Sequence, residues 1–194
     1  DLEATIAWLA SQEWSSGAVG MYGTSWSGFN SLAVAMRRPP ALKAICSIFA
    51  SDDRYADDVH YFGGALKQLD LVDWPLYMFL ENLLPPVPAV YGEGWREQWA
   101  LRMREAEPWI LRDLAEQTYS AYWKQSSLRE DYGAVEAATM LFCGWADGYK
   151  NISLRAMAAL RCPRRLILGP WSHASTETCL PGPNADLVPE MARW

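Results

Sequence analysis

GAVGMYGTSWSGFNSLAVAMRRPP, residues 17–40, is the stretch on which the fold turns. Residues 18–23 form an apolar run bounded by Gly17 and Gly23, which reads as a short buried strand. Residues 26–38 read as a helix with small residues over much of its surface, stopped by Pro39 and Pro40. Ser25 falls at the turn between them. A serine on a sharp strand-to-helix turn, flanked by Gly23, Ser27 and Gly28, has the geometry of a nucleophile elbow. The string departs from G-x-S-x-G, because Ser27 holds the last place and glycine comes one residue later. Taken alone, it also fits a glycine-bounded loop with a capping serine. A helix opening here brings the Trp26 backbone N–H and the positive end of the helix dipole beside Ser25, where an oxyanion would form.

Outward from this stretch the rhythm is helix, strand, helix, strand. Residues 3–14 carry apolar positions at Ile6, Leu9 and Ala10, a helical period, and residues 42–50 read as a second buried strand. Two such strands joined by a crossover helix are expected to be parallel neighbours. Residues 52–132 change character. They hold helix-like stretches and a rigid PPVP break at 85–88 but no strand pattern, and predict an all-helical insertion. Strand signals resume at 139–145 and 165–169, separated by a helix over GYKNISLRAMAALR. The Pro-rich tail starts as a loop, and residues 188–194 could start a helix. The expected fold class is therefore α/β: an α/β-hydrolase core built on a parallel sheet. Residues 1–51 and 133–194 would form its two parts, and residues 52–132 a helical cap.

Three side chains carry the expected chemistry. Asp147 follows the strand ATMLFCGWAD and His173 follows RRLILGPWSH, so each sits, like Ser25, beyond the carboxyl end of a parallel strand. Catalytic groups of open α/β sheets gather there. The chain order Ser25, Asp147, His173 is that of the α/β-hydrolase triad. A serine nucleophile needs a base of near-neutral pKa, and the chain has only two histidines, His60 and His173. Each member also has an ordinary reading: an Asp after a strand commonly caps a helix, and a loop histidine is commonly just solvated.

His60 lies in DDRYADDVHY beside Asp52, Asp53, Asp57 and Asp58, and fits the triad order poorly. That acidic run could hold a cation, and Asp57 and Asp58 could hold a substrate's ammonium group. The favoured reading is that these carboxylates cap the first turns of the insertion and pair with Arg54. Of the eleven tryptophans, Trp26, Trp145 and Trp171 flank the three candidate residues and could wall an acyl pocket. Trp74, Trp95, Trp99, Trp109 and Trp123 lie in the insertion, with Trp95 and Trp99 spaced to share a helix face.

Composition excludes several other classes. The chain has 194 residues, of which 51% are hydrophobic and 21% charged, enough to bury a core. A net charge of −6 argues against a nucleic-acid partner, and no apolar run is long enough to span a membrane. Without CxxC or HExxH, no metal is expected, and no cofactor is implied. Cys46 and Cys143 sit in apolar runs and read as buried small hydrophobes, which leans toward a reducing compartment.

GAVGMYGTSWSGFNSLAVAMRRPPALKAI, DDRYADDVHYFGG, FCGWADGYKN and LILGPWSH together resemble the cocaine-esterase-like and X-prolyl-dipeptidyl-peptidase-like serine hydrolases over essentially the whole chain. The resemblance implies an α/β-hydrolase domain with a helical cap and a C-terminal jelly roll. It also implies cleavage of small-molecule esters or of amides, including X-Pro dipeptides. Carried onto this chain, it makes Ser25 the nucleophile, Asp147 the orienting acid, His173 the base and the Trp26 N–H one oxyanion donor. The family's second oxyanion donor, a tyrosine, would precede Asp1, and the jelly roll would follow Trp194. The segment is thus expected to be part of a longer protein, lacking the first core strands. The alternative is a non-catalytic ligand- or partner-binding module on a hydrolase scaffold.

Overall fold

The computed structural model describes residues 1–194, the side chain of Leu71 excepted. Its centre is a parallel four-stranded sheet of β1 (Val19–Thr24), β2 (Leu42–Ile48), β5 (Ala138–Gly144) and β6 (Arg164–Gly169), in the order β1-β2-β5-β6. Helix α2 (Trp26–Ala35) connects β1 to β2 and α8 (Lys150–Ala159) connects β5 to β6. A crossover helix is what parallel pairing demands of each connection. Helix α1 (Leu2–Ser11) precedes β1 and α9 (Val188–Arg193) closes the chain.

The alternation of side chains along a strand splits the core into two clusters. Ile45 and Leu141 face Ile6, Leu32, Ala156 and Leu160 on the side of α1, α2 and α8. Cys46, Ile48, Met140 and Phe142 face the other way, onto Phe49, Trp171, Cys179 and Leu187, with Met191 of α9 packed against them. Strand β5 is buried along almost its whole length, which is why its sequence runs apolar rather than alternating. Strand β1 lies at the edge and alternates in exposure. This is the architecture of an α/β-hydrolase core.

The insertion between β2 and β5 contains α3 (Gln68–Asn82), α4 (Pro88–Tyr91), α5 (Trp95–Glu105), α6 (Ile110–Ala115) and α7 (Ala121–Lys124). It is not all helical. A two-stranded antiparallel hairpin, β3 (Tyr61–Phe62) and β4 (Ala65–Leu66), opens it. The cause is Gly63–Gly64, with φ of 59° and 82°. Two consecutive positive φ values suit a two-residue hairpin turn and are open to glycine at no steric cost. A periodicity test needs longer strands than these to register. Trp95 and Trp99 stack on one face of α5, with ring centroids 6.2 Å apart.

Candidate active site

The carboxyl ends of β1, β5 and β6 deliver Ser25, Asp147 and His173 to one cavity of about 270 Å³. Ser25 has φ 61° and ψ −123°, a conformation that a non-glycine residue adopts only under constraint. The constraint comes from both sides. The Ser25 N–H donates to the Ile48 carbonyl of β2 at 2.8 Å, and helix α2 begins at the next residue. Close approach of β1 and α2 is possible because Gly23 has no side chain: a Cβ there would lie 2.5 Å from the Ser27 backbone. A Cβ on Gly28 would lie 2.8 Å from the Gly23 carbonyl. Ser27 is tolerated in the last place of the motif because its side chain turns back, donating from Oγ to the Thr24 carbonyl at 2.9 Å. Trp26 is the first residue of α2, so its N–H has no carbonyl in a preceding turn to bond.

Asp147 is buried, and its carboxylate is held at both oxygens. Oδ1 accepts the Tyr149 backbone N–H at 2.7 Å, and Oδ2 lies 2.7 Å from Nδ1 of His173. The His173 side chain is 40% exposed, with its ring between Phe49 and Tyr149 at centroid distances of 6.1 and 5.3 Å. Burial, and then the neighbouring Asp58 carboxylate, push the Tyr149 phenol well above its usual value. An imidazole held by a buried carboxylate, a hydroxyl on a helix-opening turn and the residue that carries an unpaired helix-start N–H line one cavity, and these are the group types that nucleophilic acyl transfer uses.

The opposite wall belongs to the insertion. Asp58, His60, Phe62, Lys67, Asp70 and Trp74 line it, and Trp74 lies 6.2 Å from the ring of Trp26. His60, the rival in the sequence, is therefore in the cavity wall although it is only 2% exposed. Its Nδ1 is 2.7 Å from Asp58 Oδ2, and its Nε2 is 3.6 Å from Oδ2 of the buried Asp113 on α6. Sequence reasoning named Trp74 among the tryptophans of the insertion without singling it out and gave Tyr149 no role, although Tyr149 lies two residues beyond Asp147 in the FCGWADGYKN segment.

Three expected pocket residues lie elsewhere. Trp145 is turned outward and 53% exposed. Trp171 is buried against Phe49, filling a slot that Gly144 and Gly169 leave open; a Cβ on Gly144 would lie 2.0 Å from the Trp171 carbonyl oxygen. It braces the loop that carries His173 instead of lining the cavity. Asp57 is paired with Arg155 at 2.7 Å, and the same guanidinium reaches Asp52 at 2.7 Å. Burial raises the Asp52 carboxyl, opposed by its hydrogen bonds from Arg155 and Tyr132. Asp53 pairs with Arg129, and its Oδ1 accepts the N–H groups of Tyr55 and Ala56. The expected pairing of this run with Arg54 does not occur, because Arg54 reaches across to Asp113 at 3.4 Å. Among the described residues no three His, Cys, Asp or Glu side chains converge as a metal site. All four cysteines are free and buried.

Known proteins resemble this chain throughout. The family model described as X-Pro dipeptidyl-peptidase (S15 family) matches residues 1–175. Cocaine esterase from Rhodococcus sp. (strain MB1 Bresler) is 29% identical over 96% of the chain, which spans 36% of that protein. A CocE/NonD family hydrolase from Staphylococcus aureus superposes with a TM-score of 0.64 at 21% identity, covering 87% of this chain and 27% of that one. An aminopeptidase from a marine sediment Thaumarchaeota archaeon gives 0.63 at 19% identity, covering 91% and 32%. The chain thus spans about a third of the length of these relatives.

Proposed function

This chain belongs to the X-Pro dipeptidyl-peptidase (S15) family, and from that premise we propose that it carries the catalytic centre of a serine hydrolase acting on acyl esters or amides. Ser25 is the nucleophile, His173 the general base and Asp147 the acid that orients it. His173 takes the Ser25 proton from Oγ as Oγ bonds to the substrate carbonyl carbon. The carbonyl oxygen becomes an oxyanion, and the Trp26 N–H at the start of α2 donates to it. Asp147 fixes the tautomer that leaves Nε2 free to accept the proton, and stabilises the imidazolium. Collapse of the tetrahedral adduct expels the alcohol or amine, protonated by His173, and leaves an acyl-serine. Water, deprotonated by the same imidazole, then attacks the acyl carbon, and Ser25 recovers its proton as the acid departs.

The observation that supports this reading is the 2.7 Å contact between His173 and Asp147 in the cavity that Ser25 also lines. The wall formed by Trp26, Phe62 and Trp74 suits an apolar acyl or leaving group. Of the two aspartates expected to meet a substrate amine, Asp58 lines the cavity, where it is paired with His60, whereas Asp57 is committed to Arg155. The test is turnover of a p-nitrophenyl ester by the full-length protein, with fluorophosphonate labelling of Ser25. Ser25→Ala should lower kcat on the order of 10⁵-fold or more and abolish labelling. Near-wild-type turnover by Ser25→Ala, or an unlabelled folded protein, refutes the assignment and favours a binding module.

A further inference from the structure

Three aromatic rings close around the guanidinium of Arg54. Its Cζ lies 5.4 Å from the ring centre of Trp26, 5.7 Å from that of Tyr122 and 5.1 Å from that of Trp123. The side chain is only 13% exposed. Nη2 is 3.4 Å from Oδ1 of the buried Asp113 and 3.4 Å from Nε2 of His60, both long for hydrogen bonds. Nε is buried and has no hydrogen-bond partner among the described residues. A charge taken from water is costly unless other groups replace the water. One long contact to a carboxylate replaces little of it, and the ring faces supply the rest. Such a cage suits a planar, weakly hydrated guanidinium better than a compact ammonium.

The three rings are not equivalent. Tyr122 and Trp123 belong to α7 of the insertion, and Trp123 is fully buried. Trp26 belongs to the core, follows Ser25 directly, lines the cavity and is 45% exposed. A half-exposed indole keeps one rotamer only where its neighbours hold it. Phe29, one turn further along α2, stacks on it at 5.0 Å, and Trp74 lies 6.2 Å away. Arg54 adds a charged neighbour that is itself held by α6, through Asp113, and by the rings of α7.

We propose that Arg54 is a specificity-determining residue that holds the Trp26 indole as a fixed wall for the acyl group bonded to Ser25. The inference rests on the serine-hydrolase reading given above. Arg54 stands outside the cavity lining and acts through Trp26. The acyl group is the part of the substrate that stays bonded to Ser25 after the leaving group departs, so a wall beside Ser25 selects among acyl groups. With the indole released, a bulky apolar acyl group loses a packing surface, while an acetyl group, too small to depend on it, loses little.

The measurement is the ratio of kcat/KM for p-nitrophenyl phenylacetate to that for p-nitrophenyl acetate, in the full-length protein. The leaving group is common to both esters, so the ratio reads the acyl side. Arg54→Met, which keeps the length and drops the charge, should lower the ratio about tenfold, the order of a partly desolvated cation–π contact. Arg54→Lys keeps a cation near Asp113 and cannot lie flat against three rings; it should lower the ratio about threefold and decides the question should Arg54→Met fail to fold. Trp26→Leu removes the ring and keeps the backbone N–H, and in that background Arg54→Met or Arg54→Lys should change the ratio less than about twofold. Tyr122→Phe removes a hydrogen bond to Asp113 without touching Trp26, and should leave the ratio at its wild-type value. A wild-type ratio in Arg54→Lys, or a loss just as large in the Trp26→Leu background, overturns the inference while Ser25 is still labelled by a fluorophosphonate. A wild-type protein that is not labelled at Ser25 overturns this inference and the serine-hydrolase reading together.

Discussion

The elbow makes a quantitative demand at Gly23. An alanine Cβ there would lie 2.5 Å from the Ser27 carbonyl carbon and from its Cβ, and 2.7 Å from the Ser27 carbonyl oxygen. Two of the three atoms belong to the backbone of the first turn of α2, so no side-chain rotation relieves the contact. Ordinary contact begins near 3.4 Å, so the start of α2 must move by about an ångström relative to β1. Overpacking of this kind costs about 1–3 kcal/mol, and a rigid backbone partner puts Gly23→Ala at the upper end, about 3 kcal/mol. The same displacement carries Ser25 and the Trp26 N–H with it. A misplacement of about 1 Å can cost on the order of 10²-fold in rate, so fluorophosphonate labelling should slow by that much even where the variant remains folded. Urea unfolding followed by tryptophan fluorescence gives the first quantity, and labelling at a urea-free temperature well below Tm gives the second. Gly94→Ala is the control. Gly94 has φ −77°, and a Cβ there meets nothing within 4 Å, so its effect should stay within about 0.5 kcal/mol. A Gly23→Ala protein that matches Gly94→Ala in both stability and labelling rate refutes the close-approach argument.

Asp147→Asn should leave the fold intact and lower kcat by on the order of 10⁴-fold, because the amide can hold His173 in the wrong tautomer; steady-state kinetics on a p-nitrophenyl ester reads this directly. Arg155→Met removes the partner of two buried carboxylates, Asp52 and Asp57, and should destabilise by about 3 kcal/mol at pH 7. Burial already raises Asp52, and losing the guanidinium raises it further, so the native variant binds protons more readily than its unfolded chain; urea midpoints should show the deficit shrinking as pH falls toward 4. Burial, with Glu130 as an acceptor at 2.9 Å, pushes the Tyr119 phenol up to about 12. Its folded value exceeds its unfolded value of about 10, so its contribution is constant below that pH and is lost as pH rises toward 12. Tyr119→Phe should therefore flatten part of the alkaline loss of stability, while Tyr132 and Tyr149, also raised, maintain the rest.

Features expressed in neighbouring residues were legible in the sequence. The four strands stand within two residues of where apolar runs and glycine or proline boundaries place them, and the family resemblance agrees with the sheet they form. Features that depend on a choice between partners were not. Asp57 and Asp58 are chemically identical neighbours, and nothing local says which one faces the cavity. The answer depends on Arg155, 98 residues further along, which takes Asp57, and on His60, two residues away, which takes Asp58. Trp171 was misjudged for a related reason. Its nearness to His173 in sequence suggested a pocket wall, whereas Gly144 and Gly169, from two different strands, leave the slot that it fills. His60 was set aside on chain order, an argument that is sound for a base acting on Ser25 but silent about a histidine that holds the wall. The glycine turn at 63–64 folds the segment back on itself, and the Arg54 guanidinium, 3.4 Å from Nε2, closes the far side of the His60 ring. A histidine so enclosed has little freedom to shuttle protons. The proposed base, His173, is partly exposed and held by one carboxylate, and this difference in enclosure suits the two rings to different tasks even though their carboxylate contacts are equally short.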